Sequence, residues 1–414
     1  MSQPAQSECL ECGLLQRCPP LPRGGAARCV RCGSVLRRHR PDSLERTLAL
    51  TLAGLVLFVI ANAFPFLAFR MQGQVTETTL LTGVAELYRG GQWEIALVVL
   101  FTSVLAPGLQ LLLLLAVLAP LRLARVPRWL PRLFRWMRTL APWGMMDVFM
   151  LGILVAVVKL ADMATIVPGT SLFAFAALIL VLAAAQSSLD PDLVWSRVAL
   201  APAPAPRPGD AHRTCEVCAL VTAPCGARDG RCPRCGAALH RRKPESLQRT
   251  WALVLAALIC YVPANLLPIM TVTSLGRSQS DTIFSGVVFL FSHGMWPLGL
   301  VVFVASVFVP LLKLLILVGL LLSVHTRTRW RPRERTRLYR LTEAIGRWSM
   351  VDVYVVTILV ALVRLGNLAS VEAEAGAIFF CAVVVLTMIA AMSFDPRLIW
   401  DRLEQQHVRD RRAP

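Results

Sequence analysis

Apolar residues in this chain gather into long runs separated by short polar segments. In the first half the runs cover about 47–68, 95–119, 145–167 and 171–189; in the second, about 250–271, 297–322, 350–371 and 376–394. Each is about 19 residues or more, enough for a helix to cross a bilayer core. A helix is expected because hydrocarbon offers no partner to exposed backbone N–H and C=O groups. The pattern predicts an all-α polytopic membrane protein with four spans in each half.

The polar positions repeat as regularly as the apolar ones. Arg40-Pro-Asp-Ser-Leu-Glu-Arg-Thr47 returns as Lys243-Pro-Glu-Ser-Leu-Gln-Arg-Thr250, and Asn62 and Pro65 return as Asn265 and Pro268. Trp143-Gly-Met-Met-Asp-Val148 matches Trp348-Ser-Met-Val-Asp-Val353, and Asp190-Pro191 and Trp195 match Asp395-Pro396 and Trp400. The offset stays at 203 to 205 residues through the apolar part, as expected of a duplicated module. An even number of spans per module makes the repeats parallel rather than inverted.

Composition agrees with the membrane class. Of the 414 residues 56% are hydrophobic and 16% charged, with a mean hydropathy of +0.60; soluble domains carry roughly 25% charge. The net charge of +18 invites a nucleic-acid reading, but the basic residues sit between the apolar runs rather than on one face or tail. Segment 120–142 holds Arg122, Arg125, Arg128, Arg132, Arg135 and Arg138 without an acid, and segment 323–347 is similarly arginine-rich, whereas 69–92 and 272–296 are poor in Lys and Arg. Arginine-rich loops stay cytoplasmic, which predicts both chain ends on that side. Residues 1–40 are polar, with no apolar stretch of secretory-signal type, and are expected to stay cytoplasmic too. The basic segments serve either as topology signals alone or as amphipathic surface helices anchored by Trp129 and Trp136.

The expected organisation is a metal ribbon at 1–40, a membrane module at 41–200, an Ala/Pro linker at 201–212, a second ribbon at 213–242, a second module at 243–404 and a basic tail at 405–414. Ala201-Pro-Ala-Pro-Ala-Pro206 reads as a semi-rigid polyproline spacer.

Cys9-x-x-Cys12 precedes Cys29-x-x-Cys32, and Cys215-x-x-Cys218 precedes Cys232-x-x-Cys235, with 16 and 13 residues between the turns. That is zinc-ribbon spacing: each turn presents two thiolates and two turns complete a tetrahedron. Gly13, Gly33 and Gly236 follow the second cysteine of their turns, where backbone freedom helps the chain wrap an ion. Four cysteine ligands leave no position for water, so two structural zinc ions are expected. A rubredoxin-like iron site and a thiol switch are the competing readings, since Cys232-Pro-Arg-Cys-Gly236 resembles a rubredoxin knuckle. Cys18 and Cys225 are candidate spare thiols; Cys260 and Cys381 fall in apolar runs and read as packing residues.

Polar residues within the runs need a partner or a purpose, because a charge at mid-bilayer costs about 2.5–3.5 kcal/mol on insertion scales. The candidates are Asp147, Lys159, Asp162, Lys313, Asp352 and Arg364, with Gln110, Ser306, Ser349, Thr387 and Asn367 nearby. The spacing allows a Lys313–Asp352 pair, Ser349 and Ser306 share helical faces with them, and Thr387 comes from the last run. The first half carries instead Lys159 and Asp162, spaced i, i+3. Either these residues form a titrating coupling network or they are buried pairs that fix helix packing. Asn62 and Asn265, just before Pro65 and Pro268, suit a structural role at a helix end more than a gate. The chain holds no Walker loop, GxSxG, HExxH or dinucleotide fingerprint, so no enzyme is expected.

The paired CxxC knuckles, the Pro-Asp/Glu-Ser-Leu motif, Asn-x-x-Pro, and Trp-Ser/Gly-Met-x-Asp-Val with a basic residue twelve positions past the Asp together resemble the paraquat-inducible protein A family, which includes the lipophilic envelope-spanning tunnel protein A group. The resemblance implies an inner-membrane protein of double-membrane bacteria that partners periplasmic tunnels of mammalian-cell-entry domains and moves or loads phospholipids. It singles out Lys159, Asp162, Ser306, Lys313, Ser349, Asp352 and Thr387 as the polar network; Gly144 and Gln110 replace the motif serine and the lysine in the first half. The expected function is lipid transport, driven by proton motive force because no nucleotide site exists; a passive anchor or gate, and a cysteine redox protein, are the alternatives.

Overall fold

The protein is described here by a computed structural model covering residues 5–71, 74–122, 126–160, 165–198, 212–223, 230–274, 277–292, 294, 296–326, 328, 331–346, 350–362 and 369–401. Two small hairpins open the chain, β1 (Ala5–Glu8) with β2 (Leu15–Cys18) and β3 (Ala26–Arg28) with β4 (Val35–Arg38). Helix α1 (Ser43–Ala63) runs away from this ribbon to a hairpin of β5 (Leu67–Met71) and β6 (Gln74–Thr78), followed by α2 (Leu80–Arg89). The chain returns through α3 (Trp93–Leu100), a π-helical turn at Phe101–Leu105 and α4 (Ala106–Leu118) to the amphipathic α5 (Leu130–Leu140). It runs out again as α6 (Met146–Leu160), adds β7 (Thr165–Pro168) beside β5, and comes back as α7 (Thr170–Ser188) and the short α8 (Pro191–Ser196).

The second half repeats this path. Its ribbon contains β8 (Arg213–Thr214) and β9 (Val221–Thr222). There follow α9 (Ser246–Leu266), β10 (Met270–Ser274), β11 (Arg277–Asp281), α10 (Ile283–Ser292) and α11 (Trp296–Phe303). A second π turn at Val304–Phe308 leads into α12 (Val309–His325), then α13 (Pro332–Ile345), α14 (Val351–Leu362), β12 (Ala369–Ala373) and α15 (Ala375–Ser393).

Two expectations change. Among the described residues seven helical segments are long and apolar enough to span a membrane, not eight: α14 is described over 12 residues, and 363–368 lie outside the described residues. The molecule is mostly helical but not all-α. The ends of the runs at 145–167, 250–271 and 350–371 are strands, and the segments 69–92 and 272–296 contain strands and helices rather than simple loops. These strands build antiparallel sheets in the orders β6–β5–β7 and β11–β10–β12 at the end of each module opposite its ribbon. A chain leaving a helix must hand its backbone groups to new partners, and a sheet does so without leaving the rim of the bundle.

Pro65 shows this locally. It has no N–H to donate to the Ala61 carbonyl; the Ser171 hydroxyl, buried at the start of α7, donates to that oxygen instead. Asn62 Nδ2 donates to the Phe58 carbonyl and Asn265 Nδ2 to the Tyr261 carbonyl, each at 2.8 Å and one turn back, which is what a helix-end residue does.

The repeated polar motifs at the other end are two halves of one latch. Ser43 Oγ accepts from the Asp190 N–H at 2.7 Å, while the Asp190 carboxylate accepts from the backbone N–H of Arg40 and caps α8. In the second module Ser246 Oγ accepts from Asp395 N–H at 2.9 Å, and the Asp395 carboxylate accepts from Lys243 N–H at 3.0 Å. The latch ties the start of the first span to the end of the fourth. In the second module Arg397, itself buried, grips Asp395 with two hydrogen bonds of 2.9 Å.

One apolar core runs through both modules. Its centre is Tyr354 on α14, whose ring meets Phe149 of α6 edge-on at 5.1 Å and whose hydroxyl donates to Thr102 Oγ1 at 2.7 Å in the first π turn. Gly152 of α6 faces it so closely that a Cβ there would stand 2.8 Å from the Cβ of Tyr354. Small residues at such crossings let membrane helices approach.

Tyr354→Phe deletes the hydroxyl while keeping the ring, and should lower stability by about 1 kcal/mol, seen as a lower unfolding midpoint in detergent. Asp395 carries a pH signature. Burial pushes its carboxyl up, but the hydrogen bonds and charge of Arg397 outweigh that and hold it below the usual carboxylate range. Its stabilisation is therefore present above the unfolded carboxylate pKa of about 4 and lost as pH falls through the lower folded value. Asp395→Asn should cost about 3 kcal/mol near neutrality, because Arg397 loses its buried counter-charge and keeps only the more exposed Glu216. The difference from wild type, read from melts across pH, should shrink under strong acid.

Two candidate metal centres and the polar groups between the helices

Each ribbon brings four cysteines together. The Sγ atoms of Cys9, Cys12, Cys29 and Cys32 all lie within 4.8 Å of one another, as do those of Cys215, Cys218, Cys232 and Cys235. The pairs Cys9–Cys32, Cys12–Cys29, Cys215–Cys235 and Cys218–Cys232 each stand at 3.5 Å. A tetrahedron with Zn–S bonds of about 2.3 Å has edges of about 3.8 Å, so the residues fit a metal of that size. Thiols this close share protons: the hydrogen bond with Cys12 pulls the Cys32 thiol down and its counterpart pushes Cys12 up, and Cys232 and Cys218 are displaced likewise through Cys215. Four thiolates at this spacing need a cation between them. The cation these residues can hold is compatible with zinc; bound there, it would fix the two turns of each ribbon without offering an open coordination site.

The local fold explains the spacing. In each turn the first cysteine's carbonyl accepts from the N–H four residues on, as in Gly13 to Cys9 at 2.8 Å and Gly33 to Cys29 at 2.9 Å. This puts the residue after the second cysteine in the left-handed region: Gly13 at φ 74, Gly33 at φ 76 and Gly236 at φ 70. The fourth turn places Ala219 there, at φ 54, without the freedom of glycine. Cys18 is buried but stands outside the four-sulfur group. Cys225 lies outside the described residues. Cys381 is part of the apolar core and Cys260 packs against it.

The ribbons do not sit where the repeat suggests. The cysteines of the first ribbon share a core with Tyr339, Phe394 and Trp400 of the second module. Those of the second share one with Phe134 and Trp195 of the first. Arginines from the loops make the seat. Arg340 pairs with Glu11, and its guanidinium donates to the Cys32 carbonyl at 3.2 Å, with the Cys32 sulfur at 3.6 Å. Arg333 donates to the Arg31 carbonyl at 2.8 Å. In the other seat Arg138 donates to the Val217 carbonyl at 2.6 Å and Arg135 to the Cys235 carbonyl at 3.5 Å. The arginine segments are thus more than topology signals. Trp129, just before α5, and Trp136 within it stay exposed, while Leu130, Phe134 and Met137 are buried.

Within the helices Lys313 stands out. It is 2% exposed, and its Nζ has no hydrogen-bond partner among the described residues. A Cβ on Gly346, at the turn before α14, would lie 3.0 Å from that Nζ. At the matching place in the first module Gln110 Oε1 is buried without a described partner, 3.0 Å from where a Cβ on Gly144 would stand. Gly144 corresponds to Ser349 in the repeat. Ser306 is buried in the second π turn and donates to the Val302 carbonyl at 2.6 Å. Its counterpart Ser103, not singled out from the sequence, does the same to Val99 at 2.6 Å. Thr387 is buried and donates to the Val384 carbonyl at 3.0 Å. Asp147 is exposed in the first turn of α6. Asp162, Ser349, Arg364 and Asn367 lie outside the described residues, and Lys159 and Asp352 are placed only as backbone positions in α6 and α14.

Among the described residues, seven apolar helical segments and a pair of four-cysteine ribbons define a multi-pass membrane protein with two metal-type centres. The family model for paraquat-inducible protein A matches residues 44–199 and 247–404, and the chain belongs to that family. It is 35% identical over 411 residues to the intermembrane transport protein PqiA of Escherichia coli (strain K12), covering 96% of each chain. It is 33% identical over 402 residues to the lipophilic envelope-spanning tunnel protein A of the same organism, covering 97% of this chain and 92% of that one. A probable intermembrane transport protein of Haemophilus influenzae is 29% identical over 402 residues, covering 95% of each. No solved structure matches. The relatives carry the names of transport proteins, and intermembrane transport is the role they support.

Ala219→Gly should relieve backbone strain worth about 1 kcal/mol. Metal release from the second ribbon to a colorimetric chelator should slow several-fold relative to wild type.

Proposed function

We propose that this chain is the inner-membrane subunit of an intermembrane lipid transport system, loading or moving phospholipids at the base of a periplasmic tunnel of mammalian-cell-entry domains. Both ribbons and both termini face the cytoplasm, the two ribbons hold zinc, and the domain boundaries follow the repeat. The relatives' names speak of intermembrane transport and of an envelope-spanning tunnel. The arginine-rich segments lie with the ribbons at one end, which supports a cytoplasmic ribbon end. At the opposite end an open apolar groove of about 510 Å³ lies between α2 and α3, lined by Leu81, Val84, Tyr88, Trp93 and Leu97. A groove of that character suits an acyl chain.

The observation that carries the reading is Lys313. An amine this buried in an apolar bundle is expensive and marks a pathway or relay. Its tip reaches the turn at Gly346, a few residues before Ser349 and Asp352, and the matching Gln110 reaches the position equivalent to Ser349. We take Lys313, Ser349 and Asp352 as the centre of a proton-coupled network, with Ser306 and Thr387 beside it and Lys159 and Asp162 as a separate pair in the first module.

Asp352→Asn and Lys313→Ala, expressed at wild-type level, should each abolish complementation of an envelope-sensitive strain. Intact complementation by both would leave a passive anchor or gate in place of coupled transport. Elemental analysis of the purified protein should find zinc; iron would favour the redox alternative.

A further inference from the structure

The crossed seating of the ribbons has no explanation in zinc binding, which each ribbon completes from its own cysteines. Nor does a topology signal require arginines to touch the cysteine turns. Electrostatics adds to the shared apolar cores in accounting for both. Four thiolates around a divalent cation carry a net charge of about −2. The first ribbon presents that charge to Arg340, whose guanidinium reaches the carbonyl and sulfur of Cys32 and pairs with Glu11. Arg333, two turns earlier on α13, holds the neighbouring Arg31 carbonyl. The same helix is held to its own module by Trp400, whose indole N–H donates to Thr336 Oγ1 at 2.9 Å, and by Tyr339, which donates to the Ala391 carbonyl at 3.2 Å. Six residues after Arg340 comes Gly346, the turn against which Lys313 Nζ stands.

We propose that Arg340 and Arg333 are positioning residues through which the metal of the first ribbon holds α13, and with it the turn facing Lys313, in the second module. Arg138 and Arg135 make the reciprocal connection from the second ribbon to α5 of the first module. Each metal centre thus governs the opposite half of the membrane domain. The ion would fix the two cysteine turns that carry Glu11 and the Cys32 carbonyl; without it those turns are no longer held, so α13 loses its fixed seat on the ribbon. The consequence at Lys313 rests on the functional reading above; the attachment itself does not.

The test is amide hydrogen exchange on the purified full-length protein in detergent, with bound metal measured on the same samples. Cys29→Ser with Cys32→Ser should remove one ribbon's metal and speed exchange in 332–346 roughly tenfold, the scale of a lost charge-assisted hydrogen bond. Exchange in 130–140 should stay as in wild type. Cys232→Ser with Cys235→Ser should give the mirror result. Loosening confined to each ribbon's own module, or no change in 332–346, would overturn the proposal. If the cysteine variants fail to fold, Arg333→Ala combined with Arg340→Ala serves. It should keep the wild-type metal content yet loosen 332–346, and stripping its metal with a chelator should loosen that segment no further. A chelator effect as large as in wild type would count against the role of the two arginines. Exchange needs no transport, so a silent Lys313→Ala would sink the functional reading and leave this result standing.

Discussion

Hydrocarbon accepts no hydrogen bonds, and most of what is distinctive in this molecule follows from that constraint. Every helix must end where something takes over its backbone. At one end of each module three antiparallel strands do so, and a serine on the fourth span takes over the Ala61 carbonyl that Pro65 leaves without a donor. At the other end the Ser–Asp latch closes the first span onto the last. Inside, the π turns at Phe101–Leu105 and Val304–Phe308 carry serines that return their hydroxyls to the backbone one turn back. Such turns free local geometry in a helix and recur at functional sites.

Against this background Lys313 is an exception that carries a charge. Its amine is buried and finds no partner among the described residues, whereas Ser306, Thr387, Asn62 and Asn265 all turn to the backbone. A group that could have been an apolar residue at lower cost is retained for what it does. The other half keeps the neutral Gln110 in its place, so duplication preserved the position while separating its chemistry.

The ribbons and the membrane modules are joined in two ways. Each ribbon stays beside its own module through charged pairs near the latch, Arg37 with Asp192 in one and Arg397 with Glu216 in the other. Each also crosses to the opposite module through arginines on an amphipathic helix. The ribbons meet as well, where the carboxylate of Glu8 accepts from Thr214 and faces His212. Local attachment, crossed attachment and mutual contact together make the ribbon end a single cap over two halves that share one core.

The sequence by itself determined the duplication, most of the apolar spans and the grouping of the cysteines, because each is a matter of spacing: hydrophobic length, motif offset and CxxC turns are local and one-dimensional. It also marked Lys313 as a residue needing a reason, placed Asn62 and Asn265 at helix ends, and showed Asp190 and Asp395 as a repeated position. It did not disclose the sheets, whose β-branched runs, such as Thr271-Val-Thr273, adjoin or overlap apolar runs and read as span ends or polar loop. It did not disclose Ser103 or Ser171, since a buried serine bonded to a carbonyl looks like any other serine until the backbone around it is placed. Nor did it show which module each ribbon rests on. Arginines spaced along a loop satisfy a topology rule wherever they point. Only the tertiary structure decided that they turn to the cysteine turns of the opposite ribbon, because that choice depends on a guanidinium meeting a backbone carbonyl far along the chain, as between Arg340 and Cys32.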